Sequence, residues 1–201
     1  AIAAAFAEAG CNIAALSRTG PEIEETVARL ADTGIKAAAF RCDVTGADSV
    51  REAFAAAADA LGPIDILVNN AGMARFKPFP DLTLADWNAT MAANVTSTFL
   101  CTQAVLPGMI ARGAGKIINI SSVSGLKPIA EQSAYCAAKH AVNGLTKTLA
   151  LELKEYGIAV HAICPGGVVT RLAEEAMPER DKTNWMQPED IAHTALYLAT
   201  Q

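Results

Sequence analysis

The chain lacks a C-x-x-C pair and an H-E-x-x-H signature. Its five cysteines, Cys11, Cys42, Cys101, Cys136 and Cys164, stand singly and in odd number. They suggest neither a disulfide framework nor a zinc site, and fit reduced thiols in the cytoplasm. Three histidines, His140, His161 and His193, lie far apart and give no support for a bound metal. Aromatic residues make up only 5%, and 14 glycines with 9 prolines in 201 residues are too few for a collagenous or low-complexity chain. Cations are outnumbered, leaving a net charge of −5. There is thus no electrostatic reason to expect nucleic acid or an anionic membrane as partner, and a small molecule is the default ligand. The uncharged stretch Trp87 to Ala111 has membrane-span length, but Asn88, Asn94, Thr96, Ser97, Thr98, Thr102 and Gln103 interrupt it and it meets Pro107. It reads as a buried helix of a soluble protein. The apolar run Ala1 to Phe6 has no basic flank and reaches Glu8 at once, unlike a signal peptide.

What is present is a chain 52% hydrophobic and 18% charged, with abundant alanine, enough to bury a sizeable core. Short apolar runs alternate with helical patterns, the signature of βαβ units and a parallel sheet. Strands are predicted at Asn12 to Ser17, Lys36 to Arg41, Ile64 to Val68, Lys116 to Ser121 and Ala159 to Cys164. Helices are predicted at Pro21 to Thr33, Ala47 to Leu61, Leu84 to Ala111, Ser133 to Tyr156 and Pro188 towards Thr200. Pro21 and Pro188 mark helix starts; Gly34, Gly62 and Gly157 mark helix ends. The expectation is one α/β domain over residues 1–201, a doubly wound, Rossmann-like parallel sheet. Because the chain opens in a helical pattern, Ala1 to Ala9, and stops within another, the expectation is also that it is cut from a longer polypeptide, without the first strand and the C-terminal end.

The chemistry concentrates around Tyr135 and Lys139, which are four apart on a predicted helix and so share a face. A phenol titrates near pH ~10, too high for a base at neutral pH. An adjacent ammonium favours the phenolate, so the pair predicts a lowered Tyr135 pKa and a general acid/base. Ser122, 13 residues upstream, lies at the carboxyl end of a predicted strand, where open α/β sheets hold their ligands, and its hydroxyl suits a substrate carbonyl. By itself a Tyr–Lys pair is more often surface decoration. His161 reads as a satisfied core histidine.

With Asn69-Asn70-Ala71-Gly72, Asn94, Ser122, Tyr135, Lys139 and Pro165-Gly166-Gly167 followed by Val168 and Thr170, the sequence resembles the short-chain dehydrogenase/reductase family along its whole length. The resemblance implies that Tyr135 transfers a proton, Lys139 lowers its pKa and holds the nicotinamide ribose, Ser122 positions the reacting oxygen and Asn94 holds a water in the proton relay. It further implies a dinucleotide lying against Asn69, Ala71 and Gly72, with Asp43 and Val44 at the adenine, Pro165, Gly166 and Val168 lining the nicotinamide, and Thr170 at its carboxamide. Unaided, Asp43 is equally a turn or cap aspartate, and residues 165–170 a stiff turn. The family's glycine-rich phosphate loop is not in the sequence, Ala138 replaces a common serine, and His161 stands where asparagine is usual. At the end of the first predicted strand, Ser17 and Arg18 suit a ribose 2′-phosphate better than a 2′-hydroxyl, favouring NADP(H) over NAD(H).

The resulting expectation is an NADP(H)-dependent oxidoreductase acting on a carbonyl or alcohol. The resemblance is nearest to 3-oxoacyl-carrier-protein reductases, although no residue proves a thioester substrate. Rival readings are a nucleotide-sugar epimerase or dehydratase with the same Tyr–Lys pair, and a dinucleotide-sensing or scaffolding protein on the same fold. Ala137, Ala141 and Gly144 form a small-residue stripe that permits close helix approach, and the resemblance implies a two-fold interface there, in a homodimer or homotetramer.

Overall fold

A computed structural model describes residues 1–201. Five short strands, β1 (Ile13–Ser17), β2 (Ala37–Arg41), β3 (Ile66–Asn69), β4 (Gly115–Ile120) and β5 (Ile158–Ile163), alternate with helices, and every strand pairing is parallel. β1 pairs with β2, and β3-β4-β5 form a second hydrogen-bonded set. Each predicted strand is found, shifted by one or two residues. The helices are α1 (Ile2–Glu8), α2 (Gly20–Ala28), α3 (Ala47–Leu61), α4 (Leu84–Met91), α5 (Ser97–Arg112), α6 (Ser133–Glu152), α7 (Arg171–Ala176) and α8 (Pro188–Ala199).

Helices cover both faces, which is why the strands read as nearly continuous apolar runs. On one face α3, α5 and α6 bury Val50, Phe54, Val105 and Met109 against Ile117 and Val160. On the other, α1 and α8 bury Phe6, Ile191 and Ala195 against Ile118 and Ile163. Adjacent β4 residues Ile117 and Ile118 thus point to opposite cores, and both are fully buried. No helix is long and apolar enough to cross a membrane.

Three predicted helices end or divide earlier than expected. The helix expected over Pro21 to Thr33 stops at Ala28 and tightens into a 3₁₀ turn at Ala31–Thr33. Likewise α6 ends at Glu152, and Lys154–Tyr156 form a 3₁₀ turn. Gly157 then turns left-handed at φ 69°, where a Cβ would lie 2.2 Å from the carbonyl oxygen of Gly113. The third case matters for function. Leu84 to Ala111 is not one α-helix but α4 and α5 joined by a π-turn at Ala92–Thr96. Asn94 competes with the helix here: its Nδ2 donates to the carbonyl of Thr90 at 2.9 Å, the acceptor its own backbone N–H would take in a regular helix. The hydroxyls of Ser97 and Thr98 take up the carbonyls of Ala93 and Asn94. Helix α7, in the segment after β5, was not predicted.

Candidate active site

The carboxyl end of β4 and the first turns of α6 bring Ser122, Tyr135 and Lys139 together. α6 packs on the turn that follows β4 and on β5, which turns the helix face bearing Tyr135, Lys139, Asn143 and Thr146 inward; all four are buried. Ser122 opens the 3₁₀ turn Val123–Gly125, and its Oγ accepts from the Ser124 N–H at 3.1 Å. Lys139 Nζ donates to the Ile120 carbonyl at 2.9 Å and stands 5.5 Å from the centroid of the Tyr135 ring.

The electrostatics differ from the simple pair logic. Burial pushes the Tyr135 phenol up from its ordinary value, with the Ser122 hydroxyl acting in the opposite sense. Burial likewise pulls the Lys139 ammonium down to about 8. The expected lowering of Tyr135 by Lys139 is therefore not found: burial dominates, and the ammonium is directed at a backbone carbonyl. Both groups are biased towards their neutral forms.

Asn94 approaches from the π-turn. Its Nδ2 serves Thr90 and the Met73 carbonyl, each at 2.9 Å, whereas its Oδ1 is buried with no protein donor. A Cβ at residue 72 would come within 2.8 Å of that Oδ1 and 3.8 Å of Lys139 Nζ, so only glycine leaves this approach open. π-turns occur frequently at functional sites, and here the turn delivers one polar atom to the Lys139 side.

Beneath the site runs a polar layer that sequence reading missed apart from Asn69. Asn69 and Asn119 are register partners on β3 and β4. Asn69 Nδ2 donates to Asn119 Oδ1 at 2.8 Å, and Asn119 Nδ2 donates to Thr146 Oγ1 on α6 at 2.8 Å. The Asn69 amide nitrogen is thus engaged within the sheet, not directed at the dinucleotide groove. One turn after Lys139, Asn143 donates to the Gly125 carbonyl at 2.9 Å and accepts from the Cys164 thiol. An asparagine in the otherwise apolar stretch Ile117 to Ile120 was the available signal.

Arg18, exposed at the end of β1, lines a cleft of about 450 Å³ with Gly72, Met73, Arg75, Arg171 and Leu172. Ser17 Oγ accepts from the Thr19 N–H. Asp43 takes its bland form in part: Oδ1 accepts from the backbone and hydroxyl of Thr45, which holds its carboxyl below the usual range, with Arg18 contributing at longer reach. Val44 packs on the α3 core, while Ala71 is exposed. The Pro165 carbonyl accepts from Val123, tying the 165–170 turn to the Ser122 turn. Gly166 and Val168 lie against Met186. Thr170 spends its hydroxyl capping α7, accepting from the Ala173 N–H. His161 departs from expectation: its Nε2 is buried without a hydrogen-bond partner, and burial, with Lys116 nearby, pulls its pKa down.

Comparison with known proteins places these features in context. The family model described as short chain dehydrogenase matches residues 1–181. The chain is 38% identical to the D-threitol dehydrogenase of Mycolicibacterium smegmatis, over all of this chain and 80% of that protein. It is 36% identical to the 3-oxoacyl-[acyl-carrier-protein] reductase of Synechocystis sp., over all of this chain and 83% of that protein. Among solved structures, a gluconate 5-dehydrogenase from Burkholderia cenocepacia J2315 in complex with NADP and tartrate superposes with a TM-score of 0.91. The two are 33% identical, and the match covers 99% of this chain and 83% of that one.

Proposed function

The chain belongs to the short-chain dehydrogenase family of NAD(P)-dependent oxidoreductases, and from that premise we propose that it transfers hydride between NADP(H) and a carbonyl or alcohol carbon, with Tyr135 moving the proton. The observation that carries this reading is the convergence of Ser122, Tyr135 and Lys139 at the end of β4, with the phenol kept neutral by burial. A nicotinamide dinucleotide fits the residues present. Gly72 leaves room where any side chain would fill it, and Lys139 Nζ has one protein acceptor, leaving two protons for ribose hydroxyls. Asp43 Oδ1 is taken by Thr45, so Oδ2 would serve an adenine amino group, and Pro165, Gly166 and Val168 would line a bound nicotinamide, with Thr170 at its carboxamide. When bound, the nicotinamide supplies or accepts the hydride.

The protein's part is orientation and proton transfer. Ser122 holds the carbonyl oxygen, and Tyr135, protonated at neutral pH, donates to that oxygen as hydride reaches the carbon. A raised pKa suits this direction, because the phenol is an acid throughout the working range. Lys139 stabilises the phenolate so formed. Asn94 Oδ1 offers an acceptor to the water that returns the proton. Arg18 and Ser17 favour NADP(H), in keeping with the NADP held by the structural relative. Among carbonyl classes, 3-oxoacyl thioesters come first, in keeping with the similar reductase.

The α5 and α6 surfaces carry the proposed two-fold contact of a cytoplasmic homo-oligomer. Phe99 and Ile110 are substantially exposed on α5, and a Cβ added at Gly144 would meet only open space. A contact above ~1,000 Å² is expected, and light scattering showing a monomer at micromolar concentration rejects it. The activity itself is tested by offering a panel of ketones and 3-oxoacyl thioesters with NADPH and with NADH. Carbonyl-dependent oxidation of NADPH, faster than of NADH, is expected. Oxidation of neither sinks the reading, and a preference for NADH sinks the assignment of Ser17 and Arg18.

A further inference from the structure

The loop that leaves β3 carries a feature the proposed chemistry does not use. Phe76 stands edge-on to Tyr135, ring centroids 5.6 Å apart at 69°. The residues on either side of it are both tied to one carboxylate. Arg75 Nη1 reaches Asp86 Oδ1 and Lys77 Nζ reaches Asp86 Oδ2, each at 2.8 Å. Asp86 is itself locked in the first turn of α4, where it closes a capping box with Thr83. Its side chain is only 5% exposed, and the two cations and Thr83 hold its carboxyl far below the usual carboxylate range.

This arrangement leaves Phe76 little freedom. With both neighbours pulled to Asp86, the ring between them is turned to the Tyr135 side. A second tie fixes the far end of the loop: the Lys77 N–H donates to the carbonyl of Glu131 at 2.8 Å. Glu131 is the one non-glycine residue with positive φ, at 64°. Its neighbour Gln132 accepts from the Ser124 hydroxyl, next to the Ser122 turn. The loop is therefore referenced to the elements that carry Ser122 and Tyr135. That contact puts the Phe76 ring beside the side chain that must reach the reacting oxygen.

Resting on the oxidoreductase reading above, we propose that Phe76 is the specificity-determining residue for the substituent beside the reacting carbonyl, and that Asp86 is the positioning residue that holds it there. The substrate class that fits is a ketone whose Phe76-facing substituent is small or flat, such as a methyl or an unbranched methylene; a branched substituent meets the ring. Asp86 touches neither substrate nor cofactor and acts through the loop alone.

The test uses a matched pair of ketones, one with a methyl and one with a tert-butyl group on one side of the carbonyl and identical on the other. Phe76→Ala is expected to raise the bulky-to-small ratio of kcat/KM about tenfold or more, and Phe76→Leu to change it less. Asp86→Asn is expected to raise the same ratio and lower kcat while the cofactor dissociation constant stays as in the unmodified protein; Asp86→Glu is expected to restore part of the discrimination. An unchanged ratio in Phe76→Ala overturns the specificity role. An unchanged ratio in Asp86→Asn, or a loss of cofactor affinity equal to its loss of kcat, overturns the positioning role. Should Asp86→Asn fail to fold, the pair Arg75→Met and Lys77→Met, each leaving the other cation, reads the same clamp. Absence of turnover in the unmodified protein overturns the oxidoreductase reading and the selectivity claim with it, whereas turnover with unaltered selectivity overturns only the latter.

Discussion

On the α6 side of the site the polar groups are sheltered, whereas on the β1 and α7 side they stand in water. Asn94, Asn119, Asn143, Thr146 and Lys139 are all buried, and their hydrogen bonds link β3, β4, the Ser122 turn and α6. Across the cleft, Arg18 is exposed, and Arg171 bridges α7 to Glu22 of α2 at 2.6 Å with three quarters of its side chain accessible. The same types of interaction act with different strength in the two places. A buried amide whose partner is removed loses its only alternative to water, while a surface ion pair trades one solvated state for another. The proton-handling half is accordingly positioned by its interior. The half assigned to cofactor choice rests on replaceable charges.

Substitutions on the two sides should separate this contrast cleanly. The largest effect is expected for Tyr135→Phe, which should cost two or more orders of magnitude in turnover while cofactor affinity, read by fluorescence titration, is nearly intact. Comparable turnover would remove the phenol from the mechanism. Next comes Asn119→Ala, which leaves Asn69 only its longer bond to Thr102 Oγ1 at 3.3 Å and Thr146 only its bond to the Val142 carbonyl, and should cost about 1–3 kcal/mol in denaturant unfolding. A loss under ~1 kcal/mol would show that the interior layer is not what holds this half.

The pH dependence of stability tests the same burial. Lys139 has a folded pKa of about 8 against an ordinary 10.5. Between those values the unfolded chain binds a proton that the folded one does not, so stability should rise with pH from about 8 upward, by at most ~1.4 kcal/mol per unit. Below that window the buried ammonium is a constant cost. Compared with Lys139→Met, the unmodified protein should gain stability between pH 8 and 9; parallel curves would contradict the burial of this charge.

Smaller effects are expected on the exposed side. Arg18→Asp should shift the NADPH-to-NADH ratio of kcat/KM towards NADH by about tenfold, with unfolding unaffected. Smallest of all, Arg171→Ala should leave the melting temperature unchanged within error, because its partners Glu22 and Glu175 are both solvated. A clear drop would mean that the exposed half also depends on its ion pairs for structure.

The same contrast explains what could be read from the sequence. The alternation of strand-length apolar runs and helices was legible because both sheet faces are covered, and the spacing of Tyr135 and Lys139 was legible because helical neighbours four apart must share a face. Interior position was harder to see. Nothing in a one-dimensional pattern shows that Asn119 meets Thr146, 27 residues away, or that Arg75 and Lys77 converge on Asp86. The sign of the Tyr135 shift was misread for the same reason: pair logic is local, and desolvation depends on everything packed around the pair. The π-turn was invisible because one helical period was carried through Asn94, where the backbone changes phase.

That change of phase has a bearing on how such a chain tolerates insertion and deletion. A π-turn accommodates one residue more than the α-helix would use, so removing a single residue between Met91 and Ser97 would restore a regular helix and rotate α4 by about 100° about its axis relative to α5. α5 packs on β3 and β4, and α4 carries Asp86 to the Phe76 loop; both could not keep their partners after such a rotation. Apart from Asn94, whose side chain serves the site, what this segment must supply is its length, which is shared between two helices. Over evolutionary time this segment should hold its residue count and its Asn94 more strictly than its other side chains, and a gap opened there in a chimera would disconnect proton handling from substrate choice by parting Asp86 from the Phe76 loop although no contacting side chain had been substituted.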